Sequence, residues 1–208
     1  MSNLTMGVLG LQGDIEEHLA AIDGALSKLG LEGGSILVKS LDDVKRIDAL
    51  VIPGGESTVM GGLSSVKGIA AAVRERINKG LPTLGTCAGM ILLAKRAQDR
   101  VVGETNQTLI GALDIEVERN SFGRQSESFE AELRLQLPKA SSFHGVFIRA
   151  PSVRSMGEGV RELARLGDSV VAVQQGRIIG TAFHPELSGS TLLHEHLIEL
   201  AAGPRPGT

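Results

Sequence analysis

Leu81-Pro82-Thr83-Leu84-Gly85-Thr86-Cys87-Ala88-Gly89-Met90-Ile91-Leu92-Leu93-Ala94 is the stretch that decides the fold of this chain. Leu81 to Thr86 reads as a strand and Ala88 to Ala97 as a helix, with Cys87 at the join. Gly85 and Gly89 stand two residues before and two after the cysteine. A sharp strand-to-helix turn forces its central residue into a strained backbone conformation. Side chains two positions to either side would collide across such a turn, and glycine removes them. Gly-x-Cys-x-Gly at this join is a nucleophile elbow with sulfur in place of the usual hydroxyl. The turn sets the sulfur beside the first free N–H groups of the helix, whose dipoles favour negative charge. The amide of Ala88 is then placed to donate to a developing oxyanion. Outside this context a lone cysteine is a small buried hydrophobe.

The flanking sequence supplies a sheet for the elbow to stand on. Met6 to Leu11 is a short apolar run, as in a strand buried on both faces. A helix follows, with Asp14 as its cap and Glu17 completing a capping box. Ile15, Leu19, Ile22, Leu26 and Leu29 recur at helical spacing, and Gly30 closes it. Ser35 to Val38 and Ala49 to Ile52 are further strands, the second stopped by Pro53-Gly54-Gly55. Val66, Ile69, Val73 and Ile77 mark another helix, ended by Gly80. Strands alternating with helices imply parallel pairing through crossover helices. Beyond the elbow, Ile115-Val117-Arg119 and Phe129-Ala131-Leu133-Leu135-Leu137 alternate like strands with one wet face. Phe143 to Arg149, Ser169 to Val173 and Ile178 to Phe183 add strands. A last helix spans Thr191 to Ala202, and residues 202–208 read as a flexible tail. With no linker and no repeat, the expected fold is one α/β domain over residues 1–208. It is a three-layer α/β/α sandwich around a mostly parallel sheet.

A sulfur nucleophile needs a base, and that base must later protonate the leaving group. Of the five histidines, His184 has the best setting. It ends the strand Ile178 to Phe183 and precedes Pro185, which biases it to extended backbone. Glu186 lies two residues on, the spacing that faces the same way in an extended segment. Such a carboxylate holds one ring nitrogen and leaves the other for sulfur, which is triad logic. His18 is expected at a solvated or interface position of the first helix, and His144 half-buried in a strand. His194 and His196, two apart on a helix, point away from each other and cannot pinch one metal ion. Pro53-Gly54-Gly55-Glu56-Ser57 follows a strand, where a double glycine lets backbone amides approach a ligand. It could supply a second oxyanion donor, although a tight turn before a helix would look the same.

Composition narrows the function classes. Hydrophobic residues make up 42% and charged residues 22% of 208, the profile of a globular protein. Trp and Tyr are absent and Phe numbers only 5, which argues against a base-stacking nucleic-acid binder. Net charge is -3, with no basic run to track phosphates. No apolar stretch approaches the ~20 residues that span a bilayer, and no leader pattern opens the chain, so a cytoplasmic location is expected. One cysteine allows neither an internal disulfide nor a cysteine metal cluster. No Gly-x-Gly-x-x-Gly or P-loop spacing is present, so no cofactor and no metal are expected.

These residues resemble the class I (triad) glutamine amidotransferases, whose fold is flavodoxin-like. Within them they are similar to the glutaminase-subunit family of pyridoxal 5′-phosphate synthase. The matching segments are Gly7 to Gly13, Pro53 to Thr58, Gly85 to Gly89, Glu118-Arg119-Asn120-Ser121-Phe122-Gly123-Arg124-Gln125, Gly145 to Pro151 and Phe183-His184-Pro185-Glu186. The elbow and the His-Pro-Glu are shared across many triad amidotransferases, whereas Asn120 to Gln125 and Phe147 to Pro151 are specific to that subunit. The resemblance implies Cys87 as nucleophile with His184 and Glu186 completing the triad. It implies an oxyanion hole at Gly55 and Ala88. Gly55, Glu56, Ser57, Arg119, Ile148 and Arg149 would bind glutamine, with Gln12 near the oxyanion strand and the partner surface. Arg119 or Arg149 could pair with the glutamine carboxylate or be held by Glu56; the plainer alternative is a strand-surface charge. Residues 7 to about 202 are used by this assignment, so a separate ammonia consumer is expected. The resemblance implies that it is the TIM-barrel synthase subunit, in a large ring-shaped hetero-oligomer, and that the free glutaminase is poorly active. Other triad glutaminases, a cysteine hydrolase of peptides or small aldehydes, and a catalytically silent scaffold are the rivals.

Overall fold

The computed structural model describes residues 3–66, 68–99, 103–104, 107–122, 128–138 and 142–204. The first half alternates β1 (Leu4–Leu9), α1 (Ile15–Leu29), β2 (Gly33–Val38), α2 (Leu41–Arg46), β3 (Ala49–Ile52), α3 (Ser57–Val66), α4 (Ile69–Asn78), β4 (Thr83–Thr86) and α5 (Ala88–Leu93). The second half is strand-rich: β5 (Ala94–Asp99), β6 (Gly103–Glu104), β7 (Leu113–Arg119), β8 (Ser128–Leu133), β9 (Phe143–Ile148), β10 (Ser152–Met156), β11 (Val160–Leu166), β12 (Ser169–Gln175) and β13 (Ile178–Thr181). A short 3₁₀ turn at Pro185–Leu187 and α6 (Leu192–Ala202) finish it.

Eleven strands form one sheet in the order β2-β1-β3-β4-β13-β12-β10-β7-β5-β6, with β11 beside β12. From β2 to β13 every pairing is parallel. The strands β12 and β10 then run antiparallel to their neighbours, while β5 and β7 are again parallel. Helices flank this sheet: α1 packs on α6, and α4 on both α2 and α3. The strands between are fully buried runs, such as Ala49–Ile52 and Thr83–Thr86, as parallel strands covered on both faces must be. The pair β8–β9 forms a separate two-stranded sheet. All five phenylalanines meet there, Phe129 stacking on Phe147 at 4.7 Å and Phe147 touching Phe183 at 5.6 Å. That cluster ties the small sheet to the segment that follows β13.

Four expectations about the elements need correction. The helix after Cys87 ends at Leu93, because Ala94 turns extended and β5 pairs with β7. An apolar run of this length serves either element, and the vacant edge of β7 decides. Val66 belongs to the end of α3, not to the stripe of α4, and is 89% exposed. Strand β8 stops at Leu133, so Leu135 and Leu137 are buried outside it. Asp14 makes no side-chain cap on α1, since its carboxylate is engaged elsewhere, while Gly30 does close α1 in the left-handed conformation. The expected tail beyond Pro204 lies outside the described residues.

A Cβ at Gly89 would lie 1.9 Å from the Ile52 carbonyl oxygen, and one at Gly85 2.7 Å from the Gly89 backbone. Gly89→Ala is therefore expected to lower stability by about 3 kcal/mol. Gly62→Ala, on the open face of α3 with nothing within 4 Å, should raise it by about 0.5–1 kcal/mol. Urea unfolding of both variants checks the contrast.

Candidate active site

The site forms where β1, β3, β4 and β13 end. The register pairs Ile52 with Gly85 and Thr181 with Thr86, so the loops leaving these strands emerge side by side. In open α/β sheets ligands bind at such carboxyl ends, where the strand order reverses; here that reversal lies between β1 and β3. A cavity of about 270 Å³ opens there, lined by Gln12, Asp14, Gly55, Glu56, Ser57, Cys87, Ala88, Ile91, Arg119, Asn120, Ile148, Arg149 and His184.

Cys87 sits on the elbow with φ 49° and ψ −105°, a strained backbone for a residue with a side chain. Its N–H is held by the Thr181 carbonyl at 2.7 Å, which locks the turn to the neighbouring strand. Its sulfur lies 3.7 Å from the Ile148 carbonyl. Ala88 is the first residue of α5, where helix geometry leaves the amide without an intrahelical acceptor. His184 follows β13 in extended backbone, as expected before proline, and its N–H binds the Val146 carbonyl of β9 at 2.8 Å. A Cβ at Gly54 would meet the His184 ring at 2.4 Å, so the double glycine makes room for the imidazole.

Two carboxylates share one ring nitrogen. His184 Nδ1 lies 2.8 Å from Glu186 Oε1 and 3.2 Å from Asp14 Oδ2. Burial disfavours charge on the ring, but hydrogen bonds with Asp14, Cys87 and Glu186 outweigh it and push the His184 pKa up to about 12. Burial raises the Glu186 carboxyl, whose side chain is fully enclosed. The hydrogen bond to His184 lowers Asp14 below the usual carboxylate range. Asp14, His184 and Glu186 bring their ligand atoms within 4.8 Å of one another. Because both acids converge on the same nitrogen, the arrangement is that of an imidazole held between acceptors.

The remaining candidates line the same cavity. Gly55 adopts φ 149°, a region open to glycine, and Gln12 Oε1 accepts the Glu56 N–H at 3.1 Å. Glu56 Oε1 pairs with Arg119 Nη2 at 3.4 Å, and Arg119 also reaches Gln107 Oε1 at 3.3 Å. Ser57 Oγ, buried, donates to the same Gln107 at 3.1 Å. Arg149 has a left-handed backbone, φ 46°, and no ion pair among the described residues. Ile148 ends β9 and turns its carbonyl toward the sulfur. The specific segment from Asn120 reaches only Phe122 here, because Gly123, Arg124 and Gln125 lie outside the described residues.

The sequence reading missed Asp14, taken for a helix cap, and Gln107, which carries no motif. It also misplaced His18. Far from solvated, His18 is fully buried between His194 and Thr86. His194 and His196 do diverge, the first toward His18 and the second toward Gln174. His144 is partly exposed between Glu130 and Glu132, at 2.9 and 2.8 Å.

Removing Asp14 should be visible in His184 titration. A histidine with a raised pKa adds stability in full below about 6.5, and that stability is lost as pH rises toward 12. Asp14→Asn removes one acceptor, so NMR titration should give a lower His184 pKa. The variant should also lose less stability than the parent between those limits; an unchanged His184 pKa would show that Glu186 suffices alone.

Comparison with known proteins agrees with this geometry. The pyridoxal 5′-phosphate synthase subunit PdxT of Nitrosopumilus maritimus is 45% identical over 195 residues, 94% of this chain and 95% of its own. Its namesake from Thermus thermophilus is 47% identical, covering 94% and 97%. A crystal structure of a glutamine amidotransferase, 47% identical, superposes with a TM-score of 0.83 over 95% of this chain and 99% of the other. At 14% identity, a putative GMP synthase subunit from Thermoplasma acidophilum shares the fold with a TM-score of 0.62. The SNO glutamine amidotransferase family model matches residues 8–202, and the chain belongs to that family.

Proposed function

We propose that this chain is the glutaminase subunit of a pyridoxal 5′-phosphate synthase. It hydrolyses L-glutamine to L-glutamate and ammonia and passes the ammonia to a synthase subunit. The observation that carries this is the alignment of Cys87, His184 and the buried Glu186 at a cavity sized for one amino acid. The names of relatives near 45% identity over almost the whole chain support the synthase assignment. At about 270 Å³ the cavity lies just below the roughly 300–1,000 Å³ of drug-sized ligand sites, in keeping with a substrate as small as one amino acid.

The steps follow from the groups in reach. Cys87 sulfur attacks the side-chain carbonyl of glutamine with its proton already resting on His184, whose raised pKa favours the imidazolium. The amides of Ala88 and Gly55 receive the oxyanion. The tetrahedral intermediate collapses, His184 returns the proton to the leaving nitrogen, and ammonia departs from a thioester. Water, deprotonated by His184, attacks the thioester and releases glutamate with the thiol restored. Glu186 holds the imidazole in the tautomer this needs and stabilises its charged form.

Glu56 holds Arg119, so Arg149 is the cation left to pair with the glutamine carboxylate. Ser57 and Ile148 shape the same pocket, and Gln12 steadies the Gly55–Glu56 peptide through the Glu56 amide. The partner is the TIM-barrel synthase subunit in a large hetero-oligomer, and the complex is cytoplasmic. Among the described residues no helix is long and apolar enough to cross a membrane.

Cys87→Ala should abolish glutamate release while leaving the far-UV circular dichroism unchanged; retained turnover refutes the nucleophile. Arg149→Ala should raise the KM for glutamine about tenfold or more with kcat little changed, as loss of a charge-assisted hydrogen bond. Ammonia release should rise when the synthase subunit is added, and equal rates with and without it would refute the coupling.

A further inference from the structure

The polar chain that begins at the sulfur does not stop at Glu186. Its Oε2 atom has no hydrogen-bond partner among the described residues but lies 3.3 Å from His18 Nε2, and both side chains are wholly inaccessible. The same Nε2 is 3.2 Å from Thr86 Oγ1, on the residue just before Cys87. On the other side of the ring, His18 Nδ1 is 2.9 Å from His194 Nε2. His194 Nδ1 has no hydrogen-bond partner among the described residues. Helix α1, strand β4, the 3₁₀ turn and helix α6 thus each place one polar side chain on a single buried line.

Burial holds both histidines neutral, so each ring carries one proton. Two arrangements can make the bond between them. In the first, His18 donates from Nδ1 to His194. His194 must then carry its proton on Nδ1, a buried donor with no acceptor, and His18 turns a lone pair toward the Glu186 carboxylate. In the second, His194 donates from Nε2, and His18 carries its proton on Nε2, donated to Thr86 Oγ1 with Glu186 Oε2 beside it. His194 Nδ1 is then only an idle lone pair, and the oxygen of Glu186 faces a positive N–H dipole in place of a second lone pair. A buried orphan donor and two facing lone pairs both cost more than one idle lone pair. The second arrangement prevails.

We infer that His18 is a positioning residue for Glu186, and that His194 sets the tautomer that lets it act. The inference rests on the Cys87–His184–Glu186 assignment. Oε1 of Glu186 is committed to His184, and a carboxylate anchored at one oxygen only can swing about its last bond. The His18 Nε2–H, hydrogen-bonded to Thr86 Oγ1 and 3.3 Å from Oε2, sets a positive dipole beside that otherwise unpartnered oxygen, and this steadies the carboxylate and with it the orientation of the imidazole toward sulfur.

The test measures glutamine hydrolysis by this chain assembled with its synthase partner. His18→Leu, which keeps apolar volume and removes both nitrogens, should lower kcat about tenfold by removing the dipole that faces Glu186 Oε2. The KM for glutamine should stay within about twofold, because no substrate contact changes. His18→Gln, whose amide reaches the Nε2 position, should recover most of the rate. In the Glu186→Gln background, His18→Leu should add no further loss, since coupled groups do not add. Three outcomes overturn the inference: an unchanged kcat in His18→Leu, a full additional loss in the double variant, or no recovery in His18→Gln. If His18→Leu fails to fold, His18→Asn serves, because its shorter amide cannot reach Glu186; equal rates for the Asn and Gln variants overturn the inference. A normal kcat in Glu186→Gln alone would remove the triad itself. A damaged Glu186→Gln beside a normal His18→Leu removes only the role of His18.

Discussion

The site exists because backbone approaches backbone where no side chain can stand. The elbow crosses β3 so closely that a Cβ at Gly89 would overlap the Ile52 carbonyl, and Gly85 faces Gly89 across the turn with no room for either to be larger. At the next loop Gly13 and Gly54 meet in the same way, a Cβ on Gly13 landing 1.7 Å from the Gly54 oxygen. These contacts fix the distance between the nucleophile's turn, the loop after β3 and the loop after β1. Backbone strain at Cys87, of order 1–3 kcal/mol, persists because the packing around it admits no relaxed alternative. Met90, Ile52 and Leu84, all fully buried, close the surroundings.

Around that frame the energetics turn on placing charge inside. An enclosed carboxylate such as Glu186 is costly unless paired. The pairing comes from His184, the ring itself steadied by a second acid on the solvent side. Asp14 is partly exposed and Glu186 not at all, so one carboxylate is partly solvated and the other relies on protein dipoles alone. The phenylalanine cluster completes the enclosure. Phe183 precedes His184 and packs on Phe143 and Phe147, which pins the small β8–β9 sheet against the base. A chain without Trp or Tyr has therefore gathered its phenylalanines into one cluster that reaches the residue before His184.

Much of this was legible from residue patterns, and the gaps have physical causes. The parallel strands declared themselves as apolar runs bounded by glycine and proline, and the elbow by two glycines whose purpose is steric. His184 and Glu186 were paired on the expectation of extended backbone; they do meet at 2.8 Å, but through a 3₁₀ turn at Pro185–Leu187 that folds the carboxylate back onto the ring. Helix α2 escaped notice: its six residues are too few for a periodic stripe, although Ser40 and Asp43 form the reciprocal cap that marks its start. Helix α5 was drawn too long because Met90 to Ala97 suits helix and buried strand alike, and only the edge of β7, distant in sequence, resolves the choice. Asp14 and His18 were misjudged for one reason. Each occupies an ordinary helix position, and its true environment is made by His184, Glu186 and His194, more than 160 residues away in the chain.

That separation bears on how the molecule comes into being. Strand β13 inserts between β4 and β12, so the parallel ladder beside the elbow stays open until Ile178 to Thr181 are made. A ribosome completes the sulfur-bearing turn about a hundred residues before it delivers the imidazole. Nascent and truncated chains consequently carry an unpaired strand edge at the centre of the sheet, a surface that invites wrong partners. Activity and protection from misassembly arrive together, once β13 and the segment after it are in place.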